Sequence, residues 1–417
     1  MRNEVLENLE NITEQDSEQL LELMEKDIDV KQYLLDGYKK IMDQWKKEHP
    51  LFDIPSGVIS ICVNGETTYV NVGSKHYDEN TIFDIASMTK LYTEFILFGI
   101  LHDYNLSLDK KIGDLVESYD EIKDLTLMDL ISFNNTYRTR IDSRDCTNKE
   151  DAIKAIRTAY ILPEKQGKYL YTDVPIVILT DIMETYTGMS YKELFQKYII
   201  NRYKLTDTYL DINTTERYVT LNKNMTNDPK ANIMGGYYGH GGVKTTSKDF
   251  IKFLSAAFDS EYSHLFTIPS QVIDESTNEP IYKKSVIGNL NLSRSDDDSL
   301  ASRFLPKKGF AIQGSVRCHG ETAIFTIDHK QYTVTISIFQ DLYTQLDNIL
   351  KYEQETGKML TKEHAVDGHG NLIMTDIRNI LPYKGGAFKQ LTNLVGVCRA
   401  VTLYQYLKRE IRNNYSK

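Results

Sequence analysis

The β-forming runs of this chain stand near its two ends, and the helix-forming runs lie between them. Near the start, GVISICV begins at Gly57, Asn64-Gly65 follows, and ETTYVNVG completes the pair. Asn-Gly between two β-rich runs is the strongest short-range hairpin signal, because both central positions of a type I′ turn need positive φ. Near the other end, ETAIFTID and QYTVTISIF carry threonines and β-branched residues and join through a short turn at Asp328 to Lys330. That is the pattern of a half-buried antiparallel pair. The order predicts an α+β fold, an antiparallel sheet assembled from both chain ends and flanked by helices, with an inserted helical domain.

Helical spacing fills the rest. Residues 3–48 are rich in Glu, Leu, Lys and Gln, with apolar positions at Leu20, Leu21, Leu23 and Met24, then Tyr33, Leu34, Tyr38, Ile41 and Trp45. This predicts an N-terminal helical arm over 1–48, packed on the main body or available as a homo-oligomer contact. His49-Pro50 ends it, since the residue before proline disfavours the helical region. The core is then expected from 49–103 and 232–417, and a mainly helical insertion from 104–231. PIVILTDIMETYTG and SYKELFQKYII read as helices in the insertion, and SKDFIKFLSAAF as a capped helix after it. Residues 270–310, with the run SRSDDDS, read as loop, and 386–412 as a closing helix.

Charge and cysteines narrow the classes of function. Against 49 Lys+Arg stand 59 Asp+Glu, a formal charge of −10, which speaks against nucleic acid or an anionic membrane as the main partner. The longest apolar stretches, such as FILFGIL, are too short to span a bilayer. The start of the chain shows no basic leader followed by an apolar region. Cys62, Cys146, Cys318 and Cys398 are scattered without a CxxC pair, which fits reduced thiols and a cytoplasmic location.

Chemistry concentrates at Phe83-Asp84-Ile85-Ala86-Ser87-Met88-Thr89-Lys90, where a strongly apolar helix begins. A spacing of three puts Ser87 and Lys90 on one helix face, so the amine can reach the hydroxyl. A serine needs a nearby base to act as nucleophile at neutral pH, and a desolvated lysine can be that base. The helix start adds N–H groups beside Ser87, one of which would form half of an oxyanion hole. By itself Ser-x-x-Lys is a weak signal, more readily read as a helix cap and a surface lysine.

Its context is informative. TIFDIASMTKLYTEFILFGILHDYNLSLDKKIGDL resembles the active-site region of the serine β-lactamase and penicillin-binding-protein superfamily, nearest its class C and esterase-like branch. KYLYTDVPIVILTDIMETYTG is similar to that family's second motif, Tyr-x-Asn or Tyr-x-Asp before a helix. DPKANIMGGYYGHGGVKTTSKDFIKF is similar to its glycine-rich element. The resemblance runs over roughly residues 55 to 340 and implies the β-lactamase/transpeptidase-like fold. It further implies Ser87 as nucleophile, Lys90 and Tyr171 sharing its proton, and Asp173 supporting lysine and substrate. A phenol becomes a usable base only beside a cation, and Lys90 is that cation.

Two stretches depart from the family pattern. Ser132-Phe133-Asn134-Asn135-Thr136 stands where a His-Thr-Ser-Gly turn is usual. The third motif, Lys-Thr-Gly or His-x-Gly on a strand facing the serine, is best matched by Cys318-His319-Gly320-Glu321. His319 and Gly320 would fill the strand position, the Glu321 N–H would complete the oxyanion hole, and Arg317 would supply an anion-binding charge. Lys244-Thr245-Thr246 is read as a decoy because it precedes a helix. His240 reads as structural, with a substrate contact as the alternative, and Cys318 as a buried small residue. His364, Asp367 and His369 lack the spacing of a metal site, and neither metal nor cofactor is expected.

The expected function is a serine hydrolase that cleaves an ester or small amide of a small-molecule acyl substrate through an acyl-serine intermediate. An acyltransferase using the same acyl-enzyme is one alternative. A binding or scaffold protein whose third motif decayed is another. Without the motif lysine and at −10, a neutral or cationic acyl substrate is favoured.

Overall fold

The computed structural model describes residues 1–48, 50, 53–142, 145–211, 217–219, 229–281, 284–292, 303–314, 318–341, 354–357 and 387–415. In chain order, the elements that build the site are helices α1 (Glu14–Glu25) and α2 (Val30–Glu48), and strands β1 (Ser56–Val63), β2 (Glu66–Val72) and β3 (Ile82–Asp84). Helix α3 (Thr89–Asp103), strand β4 (Asn135–Arg138), helices α4 (Val174–Thr187) and α5 (Pro229–Ile233), and strand β5 (Lys244–Thr246) follow. The remainder is α6 (Ser247–Ser255), β6 (Asn291–Leu292), β7 (Gly309–Gly314), β8 (Cys318–Ile327), β9 (Lys330–Asp341) and α7 (Ala387–Tyr415).

The two hairpins read from the sequence form as expected. Asn64 and Gly65 take φ of 47° and 89°, and Asp328 and His329 take 47° and 61°, the positive values that tight hairpin turns need. The hairpins then pair with each other, Val334 opposite Val63 through Asp341 opposite Ser56. The result is a six-stranded antiparallel sheet in the order β6-β7-β8-β9-β1-β2. Strands from both chain ends therefore meet at its centre.

Helices cover both faces of that sheet. On one side lies α6, whose Phe250 packs on Phe339 at a ring separation of 5.4 Å. On the other side α2 and α7 cross closely, so that a Cβ at Gly37 would meet Leu394 Cδ1 at 2.6 Å. The apolar stripe of α2, Leu34, Tyr38, Met42 and Trp45, is buried there, and Gln340 donates to the Tyr38 hydroxyl at 3.1 Å. The apolar stripe of the arm thus packs on the chain's own body.

Residues 285–292, part of the stretch expected as loop, are mostly buried and end as the edge strand β6. The run SRSDDDS lies outside the described residues. Among the described residues no helix is long and apolar enough to cross a membrane.

A buried ion pair anchors α7 to the sheet. Arg399, 1% exposed, donates to Glu321 Oε1 at 2.5 Å and to the Phe304 carbonyl. Burial works to raise the Glu321 carboxyl, but Arg399 and His319 outweigh it and hold the group below its ordinary range. Breaking such a pair leaves an uncompensated buried charge. Arg399→Met is therefore expected to lose about 3–5 kcal/mol of unfolding free energy, measured by urea denaturation. Arg399→Met combined with Glu321→Met should recover most of that loss, and a single variant as stable as the parent would refute the anchoring role.

Candidate active site

The serine is presented by a strained turn. β3 ends at Asp84, and Ala86 then takes φ +46°, an uncommon value for a residue with a Cβ that surrounding structure must hold in place. The Ala86 N–H donates to Asp84 Oδ1 at 2.9 Å and the Ile85 N–H to the Val243 carbonyl at 3.1 Å. A 3-10 turn over Ala86–Met88 follows and runs straight into α3. α3 is apolar on nearly every side and so belongs at the centre of the molecule. Between Thr81 and Leu101 every residue is buried except Ser87. The fold hides this whole segment and leaves one hydroxyl accessible.

Lys90 is 0% exposed, and its ammonium lies among polar and aromatic groups. It donates to Ser87 Oγ at 3.1 Å and to the His240 carbonyl at 3.1 Å. It pairs with Asp173 Oδ1 at 2.8 Å and lies 5.2 Å from the centre of the Tyr171 ring. Asp173 stands at the N-cap of α4, where Pro175 in the first turn starts the helix without losing a bond. Its second oxygen, Oδ2, accepts from Lys230 of α5 at 2.6 Å. Burial tends to raise this carboxyl, yet Lys90, then His240 and Lys230, hold it well below the usual range.

The glycine-rich element delivers the His240 carbonyl. A Cβ at Gly239 would fall 1.9 Å from Thr180 Oγ1, so only glycine lets this loop pass between α3 and α4. Thr93 donates to the Gly239 carbonyl at 2.7 Å and fixes the loop on α3. His240 itself is buried and reaches the site through its backbone oxygen.

Tyr171 is 42% exposed and stacks on Phe133 at 5.3 Å with an interplanar angle of 17°. The departure at Ser132–Thr136 therefore carries the aromatic floor under Tyr171. Lys284 adds a second cation, 5.9 Å from the Tyr171 ring, with its amine bonded to Asn291 Oδ1 at 2.6 Å. A cavity of about 370 Å³ adjoins Asp173, lined among others by Arg138, Asp142, Val177, Lys230 and Met234.

The structure does not bring His319, Gly320 and Glu321 to Ser87. They lie within β8, paired with β7 on one side and β9 on the other, so the Glu321 N–H belongs to a strand flanked by both neighbours. Successive residues of a strand point to opposite faces. Hence His319 packs on Phe388 of α7, Glu321 meets Arg399, and a Cβ at Gly320 would run into Phe250 of α6. The end of β7 touches the serine turn, where a Cβ at Gly314 would lie 2.3 Å from the Ile85 carbonyl oxygen, and the start of β8 reaches it through Cys318, whose thiol lies 3.8 Å from the Asp84 carbonyl. Arg317 lies outside the described residues, as do His364, Asp367 and His369. Lys244 is buried in β5 and donates to the Leu210 carbonyl at 2.7 Å. Cys318 is buried, and burial pushes its thiol far up.

The chain is also related to known proteins. The family model for beta-lactamases matches residues 46–280, more than half of the chain. The chain belongs to the beta-lactamase family. Teichoic acid D-alanine hydrolase of Staphylococcus aureus is 26% identical over 181 residues, which is 42% of this chain and 46% of that protein. The chain thus aligns with somewhat less than half of that relative's length. A class C beta-lactamase from Rhodobacter sphaeroides superposes with a TM-score of 0.52 at 16% identity, over 77% of this chain and 99% of that one. A penicillin-binding protein homologue from Pyrococcus abyssi gives 0.54 at 16%, over 77% of each chain. These two likenesses concern the fold.

Within this family member one further ionisable group sits under the site. Glu94, one turn beyond Lys90 on α3, is fully buried. Burial holds its carboxyl well above the ordinary value of 4.5, with Asn289 and Lys90 drawing it only partly back. A carboxyl raised on folding makes its full contribution to stability below the ordinary value and loses it as pH rises through the raised one. Glu94→Gln should keep the shape of the neutral acid and remove that loss. Expected is a variant more stable than the parent at pH 8 and similar at pH 4, each pH unit of the raised interval being worth about 1.4 kcal/mol. Denaturation curves across pH 4–9 measure it; parallel curves for the two proteins would disprove the assignment.

Proposed function

We propose that the protein is a serine hydrolase that cleaves an ester through an acyl-serine intermediate on Ser87. The observation that carries this reading is one accessible hydroxyl in an otherwise buried segment, 3.1 Å from a fully buried lysine amine. Neutral Lys90 takes the proton as Ser87 Oγ bonds to the carbonyl carbon. The ester C–O bond then breaks, and the leaving alcohol takes the proton back from Lys90, with Tyr171 beside the path. Water attacks the acyl-serine by the reverse sequence and frees the acid. Asp173 holds the amine in place between these steps. The Ala86 and Met88 N–H groups are spent on Asp84 Oδ1 and the Ile85 carbonyl, so the Ser87 N–H is assigned to the developing oxyanion.

For the acyl group we propose an amino-acyl ester, D-alanyl first. The similarity to a teichoic acid D-alanine hydrolase supports it. So does the absence of a motif lysine, which leaves no requirement for a carboxylate on the acyl portion. An acyl group with a free ammonium suits a chain at −10 better than an anionic one. The cavity beside Asp173, with Arg138 and Asp142 on its wall, gives room for a polar alcohol portion.

Incubation with p-nitrophenyl acetate, D-alanyl and L-alanyl esters, D-alanine amides and a β-lactam, followed by intact-mass measurement, tests both parts. The wild type should gain one acyl mass from the esters, fastest from D-alanyl. Ser87→Ala should gain none and lose about 10³-fold or more in turnover. Labelling of Ser87→Ala by a fluorophosphonate at the wild-type level would defeat the assignment of the nucleophile.

A further inference from the structure

The carboxylate that holds the buried lysine is itself shared. Asp173 gives Oδ1 to Lys90 at 2.8 Å and Oδ2 to Lys230 at 2.6 Å, so one negative charge lies between two ammonium groups. Lys90 is sealed from solvent, whereas the Lys230 side chain is 44% exposed and comes from α5, ahead of the glycines of the glycine-rich stretch. The geometry points to Lys230 as a positioning residue that divides the Asp173 charge and thereby lets Lys90 give up its proton. This rests on the hydrolase reading for its link to turnover.

The argument is electrostatic. A lysine beside a carboxylate keeps its proton more firmly, because the opposite charge favours the charged form. A lysine meant to act as base beside an undivided carboxylate would stay protonated in the working range. A second cation on the same carboxylate offsets that attraction and also repels the Lys90 proton directly. Other groups act on the same pair. Burial holds the carboxyl of Glu94, below Lys90 on α3, well above its ordinary value. Tyr171 from the start of α4 presents its ring, which favours a cation, and Lys284 lies 5.9 Å from that ring. His240 from the glycine-rich loop gives Lys90 its carbonyl oxygen and also helps to hold the Asp173 carboxyl down; Lys230 differs in bonding Asp173 Oδ2 directly, at 2.6 Å.

The variants that decide this are Lys230→Met, which removes the charge and keeps the stem, and Lys230→Arg, which restores it. The burst of p-nitrophenyl acetate acylation should be followed from pH 5 to 10. For Lys230→Met the acid limb should move up by about one pH unit, while the alkaline plateau stays within about threefold of the wild type. Lys230→Arg should return the limb to its original place. A uniform loss at every pH with an unmoved limb, or a limb moved down, would overturn the proposal.

A second measurement separates this idea from the hydrolase reading. In protein carrying ε-¹³C-lysine, the Lys90 signal, assigned through Lys90→Arg, reports its proton without any substrate. It should titrate at higher pH in Lys230→Met than in the wild type. If it titrates at the same pH, charge sharing fails whatever the protein hydrolyses. If it moves and no ester is cleaved, charge sharing stands and the hydrolase reading falls.

Discussion

A lysine amine without solvent contact has to find its stabilisation inside the protein, and the architecture around Lys90 is organised to supply it. Among the partners of the ammonium are Ser87 Oγ, the His240 carbonyl and Asp173 Oδ1, brought from three separate stretches of chain. Desolvating a charge is expensive unless it is paired and hydrogen-bonded. The three stretches are therefore coupled: displacing the glycine-rich loop or the start of α4 would leave Lys90 buried with an incomplete shell. The same coupling gives the site its rigidity. α3 is packed on all sides, with Tyr92 stacked on Phe253 at 4.1 Å, so the amine cannot follow a partner that moves.

The order of elements in the chain fits this requirement. The sheet closes where β9 pairs with β1, bringing residues near 60 and 335 side by side. The strand β7 then ends against the turn that carries Ser87. What lies between the two halves of the sheet is free to fold as the helical layer that brings Tyr171, Asp173, Lys230 and His240 to the other side of α3. Both walls of the site are thus fixed by backbone pairing and helix packing, and Ala86 can be kept at a positive φ between them.

How much of this was legible in the sequence depended on how local each feature is. The hairpin at Asn64-Gly65 and the Ser87–Lys90 spacing are set by neighbours a few residues apart, and both appear as read. Tyr171 and Asp173 came from resemblance to a family, and the structure puts both beside Lys90. Lys230, Phe133 and Glu94 were not legible, because each matters through a contact across the fold with no spacing to announce it. The third-motif reading at His319-Gly320 has the right letters, but strand alternation turns the two positions to opposite helical layers. Both β7 and the start of β8 reach the serine turn; β7 contributes Gly314 at the contact, and a lone glycine after an apolar run carries little signal.

The charge balance of the site follows from these placements and bears on what it can bind. Among Asp173, Lys230 and Lys90, Asp173 counts as −1, Lys230 as +1 and Lys90 as either +1 or 0, while burial holds the Glu94 carboxyl well above its ordinary range. With Lys90 protonated the group sums to +1, and with Lys90 neutral it sums to 0. A family pattern with a neutral amide at position 173 would need no second cation there, so the aspartate and Lys230 make sense as a matched pair. The neutral-lysine state is then the uncharged one, the state a poorly solvated site tolerates best. An incoming acyl group that carries an ammonium adds no second negative charge to be compensated. On the proposed hydrolase reading it meets a neutral Ser87–Lys90 pair, with Lys284 as the cation beside Tyr171.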